Sequence, residues 1–176
     1  MTQQVNSGNY RNMHVLDDVL DDDLRKSFLD HDYNGAKSNG LGDFWYGQKY
    51  DDIEFPYAQK ILRICSSYAD ISKMVGYEMH HNYFNGGTYH LDKDEILYKK
   101  TDEVKCPIVS VVYYLSIEEM VGGTFYTSDI TIIPKTNRLI IFSSDLHHGY
   151  APVTGGTRIS VGINPWGEAP MYPDEN

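Results

Sequence analysis

Residues 77–83 read Tyr-Glu-Met-His-His-Asn-Tyr, and this stretch decides the predicted fold class because its larger apolar side chains alternate with polar ones. A period of two is typical of a β-strand with one buried face. Similar short apolar runs follow at residues 108–115, 130–133, 139–142 and 157–163, and glycine-containing turns lie at 85–87, 121–123 and 154–156. No helical pattern separates these runs. The sequence therefore predicts a mainly β fold, an antiparallel sandwich or jelly roll.

The preceding third of the chain has a helical period instead. Apolar residues recur at near-helical intervals behind a run of aspartates; they are Val15, Leu16, Val19, Leu20, Leu24, Phe28 and Leu29. A second helix is predicted over about 56–68, because Pro56 suits a first helical turn. A chain of 176 residues, 41% of them hydrophobic, is long enough for one domain. We predict a single domain over 1–176, with a helical buttress at about 14–72 packed on one sheet of a β-sandwich core at about 73–166.

Composition narrows the function classes. The formal net charge is −10, which repels phosphate backbones and anionic bilayers, so nucleic-acid binding is disfavoured. No apolar run is long enough to cross a bilayer, and the polar start lacks a signal-peptide core, so we expect a cytoplasmic protein without a membrane partner. The two cysteines, Cys65 and Cys106, have no paired spacing and are expected to be reduced thiols.

Three polar or mixed segments admit two interpretations each. The acidic run at 17–23 reads as a solvated helix start rather than a calcium loop, because it lacks the glycine turn and distal glutamate of such loops. The aromatic, glycine-rich segment 39–52, which contains Trp45, is either a substrate lid or a loop that packs its rings inward. The charged stretch 93–105 is either a mobile lid or a solvated connection between strands.

A histidine and a carboxylate stand two residues apart at His90 and Asp92, a spacing that directs both side chains to one side of a strand, with Leu91 facing the opposite layer. Two histidines and one carboxylate are typical of a non-haem Fe(II) site. His147 and His148 compete as third ligand, and we favour His148. It opens a segment, 148–158, with the shape of a hairpin that ends on Arg158.

The guanidinium of Arg158 suits a distal carboxylate of an iron-chelating acid, and Ser160 shares its face of the strand. The adjacent pair His80 and His81 also looks like a metal site. Neighbouring strand residues face opposite ways, however, so at most one can join, and we expect structural histidines. The 15 tyrosines are expected to fill core and rim rather than stack on bases.

Several motifs match one known family in order and spacing. They are Tyr83-x-x-Gly86 leading into 90–92, the strand 109–115, the turn 122–125, the strand 138–142, and the segment 148–158 continuing to Trp166. In these pieces the chain resembles the 2-oxoglutarate- and Fe(II)-dependent oxygenases, most closely the prolyl 4-hydroxylase-like branch. The resemblance covers about 74–166 and implies a double-stranded β-helix, the cupin-like form of the jelly roll.

The resemblance also implies roles for individual residues. His90, Asp92 and His148 would bind Fe(II), and Arg158 would bind the far carboxylate of 2-oxoglutarate. Further contacts to that cosubstrate are expected from Tyr83, Thr124 and Ser160. Tyr89 and Trp45 are candidates for the substrate mouth. With O2, such an enzyme would convert 2-oxoglutarate to succinate and CO2 and hydroxylate a substrate C–H bond.

The substrate stays open at this point. A peptidyl residue such as proline is the main expectation, because the closest resemblance is to the prolyl hydroxylase branch. An AlkB-like nucleic-acid demethylase is a second reading, since residues 90–95 are similar to the corresponding stretch of those proteins, although the acidic charge opposes it. A small-molecule hydroxylase and a non-enzymatic jelly-roll binding module complete the alternatives.

Overall fold

A computed structural model describes residues 3–5, 8–10, 12–33, 36–38, 42–82 and 87–172. Its strands are β1 (Gln3–Val5), β2 (Gly8–Tyr10), β3 (Met13–Asp17), β4 (Lys37–Ser38), β5 (Asp43–Tyr46), β6 (Gly76–Asn82), β7 (Gly87–His90), β8 (Ser110–Gly122), β9 (Phe125–Tyr126), β10 (Ile130–Ile132), β11 (Arg138–Phe142), β12 (His148–Tyr150) and β13 (Val153–Trp166). The helices are α1 (Asp22–Leu29), α2 (Pro56–Cys65) and α3 (Glu95–Thr101). Among these described helices, none combines the length and the apolar character that a bilayer span requires.

The strands form two facing sheets. The smaller has the order β1-β10-β9-β12-β7, and the larger has the order β2-β3-β11-β8-β13-β6-β5-β4. Apolar side chains from both sheets, among them Val112, Phe125 and Tyr150, pack between them. Helices α1 and α2 cover the outer face of the larger sheet, where Phe28 and Ile61 meet Tyr113. The predicted mainly β jelly roll, a double-stranded β-helix with helices on one sheet, is confirmed.

Alternation along the larger sheet separates these two layers. On β6, Tyr77 and Met79 are buried under the helices, whereas Glu78 and His80 line a cavity on the opposite face. On β13, Val161 and Ile163 face the helices and Asn164 lines that cavity. The side-chain period of two therefore brings polar residues into the space between the sheets.

The first predicted helix is wrong in its first half. Val15 and Leu16 lie in β3, which pairs with β11, and the helix begins only at Asp22. Asp18 has a left-handed backbone (φ 56°), which interrupts a helix, and Asp21 caps α1 by accepting the Leu24 N–H at 2.9 Å. The acidic run thus caps and begins a helix, as expected. The second helix is confirmed from Pro56 but ends at Cys65 rather than 68.

Two segments predicted without regular structure contain some. Asp43–Tyr46 forms β5, which pairs with β6. Phe44 and Tyr46 pack in the core that faces the helices. Residues 39–41 lie outside the described residues. The stretch 93–105 contains α3, because Asp94 caps it by accepting the Leu97 N–H at 2.9 Å.

The predicted hairpin at 148–158 is also wrong. Strand β12 belongs to the smaller sheet and β13 to the larger one, so the chain crosses between sheets at residues 151–152. Gly155 and Gly156 are not a turn but part of β13, where the pairing register with β8 shifts. Arg158 therefore reaches the space between the sheets from the sheet opposite His148.

Candidate active site

Two histidines and one aspartate meet at the end of the smaller sheet. His90 ends β7, His148 begins β12, and the two residues are direct cross-strand partners. Asp92 follows two residues after the strand, so the chain bend beyond His90, rather than strand alternation, directs its carboxylate. Its Oδ1 lies 3.5 Å from His90 Nε2 and 3.7 Å from His148 Nε2. One potential ligand atom from each residue lies within 4.8 Å of the others, the only such group of three or more in the described residues.

Both imidazole rings are oriented by backbone carbonyls. His90 Nδ1 lies 2.6 Å from the Thr88 oxygen, and His148 Nδ1 lies 3.2 Å from the Leu146 oxygen. A carbonyl oxygen only accepts, so each Nδ1 donates and each neutral ring keeps its lone pair on Nε2. The two Nε2 atoms are those that face Asp92, which is the arrangement a metal site needs.

The protonation states also suit a cation. Burial alone would raise the pKa of Asp92, but the adjacent His90 and the nearby His148 hold it well below its usual range. A Ser110 hydroxyl acts in the same direction. Burial lowers the pKa of His148, whereas the adjacent Asp92 carboxylate raises the pKa of His90. The group thus offers one carboxylate and two imidazole nitrogens, a donor set that fits Fe(II).

Deeper between the sheets lies a buried arginine with hydroxyl groups around it. Arg158 is 5% exposed, donates from Nη1 to the Gly123 oxygen at 3.3 Å, and lies over the Tyr150 ring at 4.8 Å. Ser160 and Tyr114 are cross-strand partners on β13 and β8, and both are buried. Neither the Ser160 Oγ nor the Tyr114 Oη has a hydrogen-bond partner among the described residues.

An unpaired buried hydroxyl costs free energy, so a polar ligand that hydrogen-bonds to these two groups would stabilise them. The Tyr114 phenol stays protonated and able to donate, because burial raises its pKa far above the usual value. A guanidinium beside two free hydroxyls is a fitting receptor for a carboxylate.

The remaining predicted site residues are Thr124, Tyr83, Tyr89 and Trp45. Thr124 follows Gly123 and is half-buried, and its backbone carbonyl accepts the Ala151 N–H at 2.9 Å. Tyr83 lies outside the described residues. Tyr89 is 49% exposed and stacks on Tyr126 at 5.9 Å, on the opposite side of β7 from the His90 ring. Trp45 does not line the cavity beside the triad. Its ring centroid lies 6.4 Å from that of Tyr172, which does line the cavity.

A cavity of about 220 Å³ opens beside the three-residue group. Besides that group its wall includes Leu91, predicted to face the opposite layer, and the polar or aromatic residues Asp43, Glu78, His80, Asn164, Trp166 and Tyr172. His80, expected to be structural, lies at the site, whereas His81 faces Phe28 in the helical layer. Sequence reasoning missed Glu78 and Tyr114 as well. Both residues alternate with core residues along their strands, and this alternation could have identified them. Glu78, for example, shares a strand face with His80.

Comparison with known proteins identifies the class. The family model described as the 2OG-Fe(II) oxygenase superfamily matches residues 67–166, more than half of the chain. The chain belongs to the 2-oxoglutarate- and Fe(II)-dependent oxygenase superfamily. It is accordingly a dioxygenase whose cofactors are Fe(II), 2-oxoglutarate and O2. No curated protein matches the sequence significantly.

Solved structures of similar fold include several such enzymes. An oxidoreductase of the 2OG-Fe(II) oxygenase family from Burkholderia pseudomallei is 11% identical, with a TM-score of 0.59 over 96% of each chain. A Pseudomonas putida prolyl-4-hydroxylase is 18% identical, with a TM-score of 0.59 over 90% of this chain and 89% of that one. A Trichoplax adhaerens prolyl hydroxylase, in complex with a hypoxia inducible factor peptide, is 15% identical, with a TM-score of 0.56 over 88% and 83%. At these identities the similarity shows the fold.

Proposed function

We propose that this oxygenase hydroxylates a C–H bond of a peptidyl residue, with proline as the first candidate, and that His90, Asp92 and His148 bind the iron. The observation that carries the proposal is the convergence of these three side chains within 4.8 Å. A buried Arg158 lies between the same two sheets.

Bound Fe(II) would supply the activation of O2, which couples conversion of 2-oxoglutarate to succinate and CO2 with hydroxylation of the substrate. The chain's own residues would prepare the site for this chemistry. Asp92 is ionised, and the carbonyls of Thr88 and Leu146 keep the two imidazoles in the ligating tautomer. These contacts would fix the metal without side-chain rearrangement.

The cosubstrate would lie between the metal and Arg158. We assign its far carboxylate to the Arg158 guanidinium and to the Tyr114 and Ser160 hydroxyls, which lack partners among the described residues. All three side chains are at most 5% exposed, so a carboxylate bound here would be shielded from water. Charge-assisted hydrogen bonds are strongest in such a buried environment. The contributions predicted for Tyr83 and Thr124 stay proposals.

A peptide substrate is supported by similarity of fold. The Trichoplax prolyl hydroxylase, with a TM-score of 0.56 to this chain, is bound to a peptide fragment. Here the cavity beside the triad is open at one side and is bordered by the described end of the chain at Met171 and Tyr172. Demethylation of nucleic acid is disfavoured, because the net charge is −10 and five of the ionisable side chains lining the cavity are carboxylates.

Turnover assays test this proposal. Purified protein with Fe(II) and 2-oxoglutarate should form succinate, and proline-containing peptides should gain the mass of one oxygen atom. Asp92→Ala should abolish both signals, while Asp51→Ala, which removes an exposed carboxylate elsewhere, should leave them intact. Unmodified peptides together with demethylated methyl-oligonucleotides would reverse the ranking of substrates, and full turnover by Asp92→Ala would refute the metal assignment.

A further inference from the structure

The proposed metal ligand Asp92 lies in a short stretch of chain that belongs to neither a strand nor a helix. Strand β7 ends at His90, α3 begins at Glu95, and residues 91–94 lie between them. On the strand side, the pairing of His90 with His148 fixes the backbone. Strand geometry cannot direct a carboxylate that lies beyond the last residue of the strand. The position of this carboxylate therefore depends on how the chain is held on its other side.

Asp94, two residues after Asp92, is the point at which the chain is held. Asp94 is 4% exposed, and both of its carboxylate oxygens have a donor. Oδ1 accepts the Leu97 N–H at 2.9 Å, and Oδ2 accepts the Met171 N–H at 2.6 Å. The backbone N–H of Asp94 donates to the Lys105 oxygen at 2.8 Å. Two residues span at most about 7 Å of chain, so an Asp94 fixed in this way restricts where Asp92 can lie.

One of the two side-chain bonds of Asp94 does more than cap a helix. The bond from Leu97 caps α3, just as Asp21 caps α1. The bond from Met171 is not needed to begin α3, and it joins residues 77 positions apart. A buried hydrogen bond to a charged oxygen is stronger than one between neutral groups. This bond therefore ties the segment that carries Asp92 to a distant part of the chain.

The chain on both sides of Met171 is anchored as well. On one side, Lys105 Nζ donates to the Ala169 carbonyl oxygen at 3.2 Å. On the other side, the Tyr172 hydroxyl donates to Glu78 Oε1 on β6 at 3.0 Å. The Met171 N–H is thus presented by a segment that is tied both to the larger sheet and to the connection after α3.

We infer that Asp94 is a positioning residue for the iron site. Its bond to the Met171 N–H holds the backbone after Asp92, so that the Asp92 carboxylate faces the two imidazoles. This inference rests on the proposed function, which assigns Asp92 to the metal. Preformed ligands bind a cation more tightly, and loss of a supporting contact typically lowers metal affinity about 10- to 100-fold.

Direct metal binding tests the inference without turnover. Co(II), the neighbour of Fe(II) in the Irving–Williams order, is titrated anaerobically, and its visible absorption gives the Kd. Asp94→Asn has one side-chain oxygen in place of two, so one of the two backbone N–H groups loses its acceptor. Asparagine is an equally good N-cap, so α3 should keep its cap. We expect the Kd for Co(II) to rise about ten-fold or more, with unchanged circular dichroism.

Two further variants separate the bond to Met171 from helix capping. Asp21→Asn makes the same substitution at the cap of α1 and should leave the Kd unchanged. Lys105→Met keeps the aliphatic side chain but removes the ammonium that holds the Ala169 carbonyl. It should raise the Kd by itself and add little to Asp94→Asn, because both variants act through the same contact.

Iron dependence separates positioning from folding. At saturating Fe(II), succinate formation by Asp94→Asn should return to that of the unaltered protein, because added metal compensates for a weaker site but not for a misfolded one. An unchanged Kd in Asp94→Asn, an equal rise in Asp21→Asn, or activity that stays low at saturating Fe(II) would overturn the inference. If Asp92→Ala binds Co(II) as tightly as the unaltered protein, the metal assignment of the proposed function is wrong, and the inference falls with it.

Discussion

Replacing Tyr114 by phenylalanine should weaken 2-oxoglutarate binding without weakening the fold. The Tyr114 side chain is fully buried on β8, and its hydroxyl lacks a partner among the described residues. Removing an unpaired buried hydroxyl relieves a penalty of about 1–3 kcal/mol, so the free energy of unfolding should stay equal or rise. For a chain of this size each kcal/mol corresponds to about 2–4 °C in Tm.

The cosubstrate should respond in the opposite direction. A hydrogen bond to a charged carboxylate contributes about 1.5–3 kcal/mol, so the KM for 2-oxoglutarate should rise about 10- to 100-fold in Tyr114→Phe. Succinate formation measured over a range of 2-oxoglutarate concentrations gives this KM, and thermal unfolding of the protein without cosubstrate gives Tm.

The neighbouring tyrosine provides a matched control. Tyr113 is equally buried but faces the helices, and its hydroxyl donates to Asn137 Oδ1 at 2.9 Å. Tyr113→Phe leaves that buried acceptor with one partner fewer, so it should lower the free energy of unfolding by about 1–2 kcal/mol and leave the KM unchanged. If Tyr114→Phe behaves like Tyr113→Phe, the assignment of Tyr114 to the cosubstrate is wrong.

Three further predictions concern other parts of the molecule. Arg158→Lys keeps the charge but loses the two-pronged donor, so the KM for 2-oxoglutarate should rise at least about ten-fold with unchanged circular dichroism; an unchanged KM would place the carboxylate elsewhere. Gly162→Ala should lower the free energy of unfolding by about 1–3 kcal/mol because its Cβ overlaps the His80 ring, and adding His80→Ala should restore much of the loss in a denaturant titration. Burial lowers the pKa of His81 to about 4, so the unfolded chain binds a proton at this residue more readily than the folded chain does. The free energy of unfolding should therefore be highest above about pH 6.5 and decline towards pH 4. In urea titrations His81→Gln should flatten that decline, and parallel curves for the two proteins would contradict the prediction.

The sequence alone was sufficient for the class of fold and for the three converging side chains. Alternation in residues 77–83 and in the later strands reflects burial on one face, a local property of consecutive residues. His90 and Asp92 are two residues apart and so could be paired from spacing. His148 was preferred over His147 for the shape of the segment that follows, and the structure brings His148 beside them.

Strand partners could not be read in this way. Residues 13–17 and 43–46 become strands because β11 and β6 offer them free edges, and the apolar spacing of Val15 and Leu16 suits a helix equally well. The crossing from the smaller to the larger sheet at 151–152 likewise depends on the pairing of β13 with β8, not on the glycines that resembled a turn.

What the chain determined by itself was local: which residues alternate, where helices α1 and α2 begin or are capped, and which side chains can ligate a metal. Tertiary structure alone brought the buried hydroxyls of Tyr114 and Ser160 beside Arg158, and Glu78 and Trp166 to the wall of one cavity. The physical reason is that hydrogen-bond pairing and burial of a polar group depend on which strands become neighbours, and those neighbours are distant in sequence.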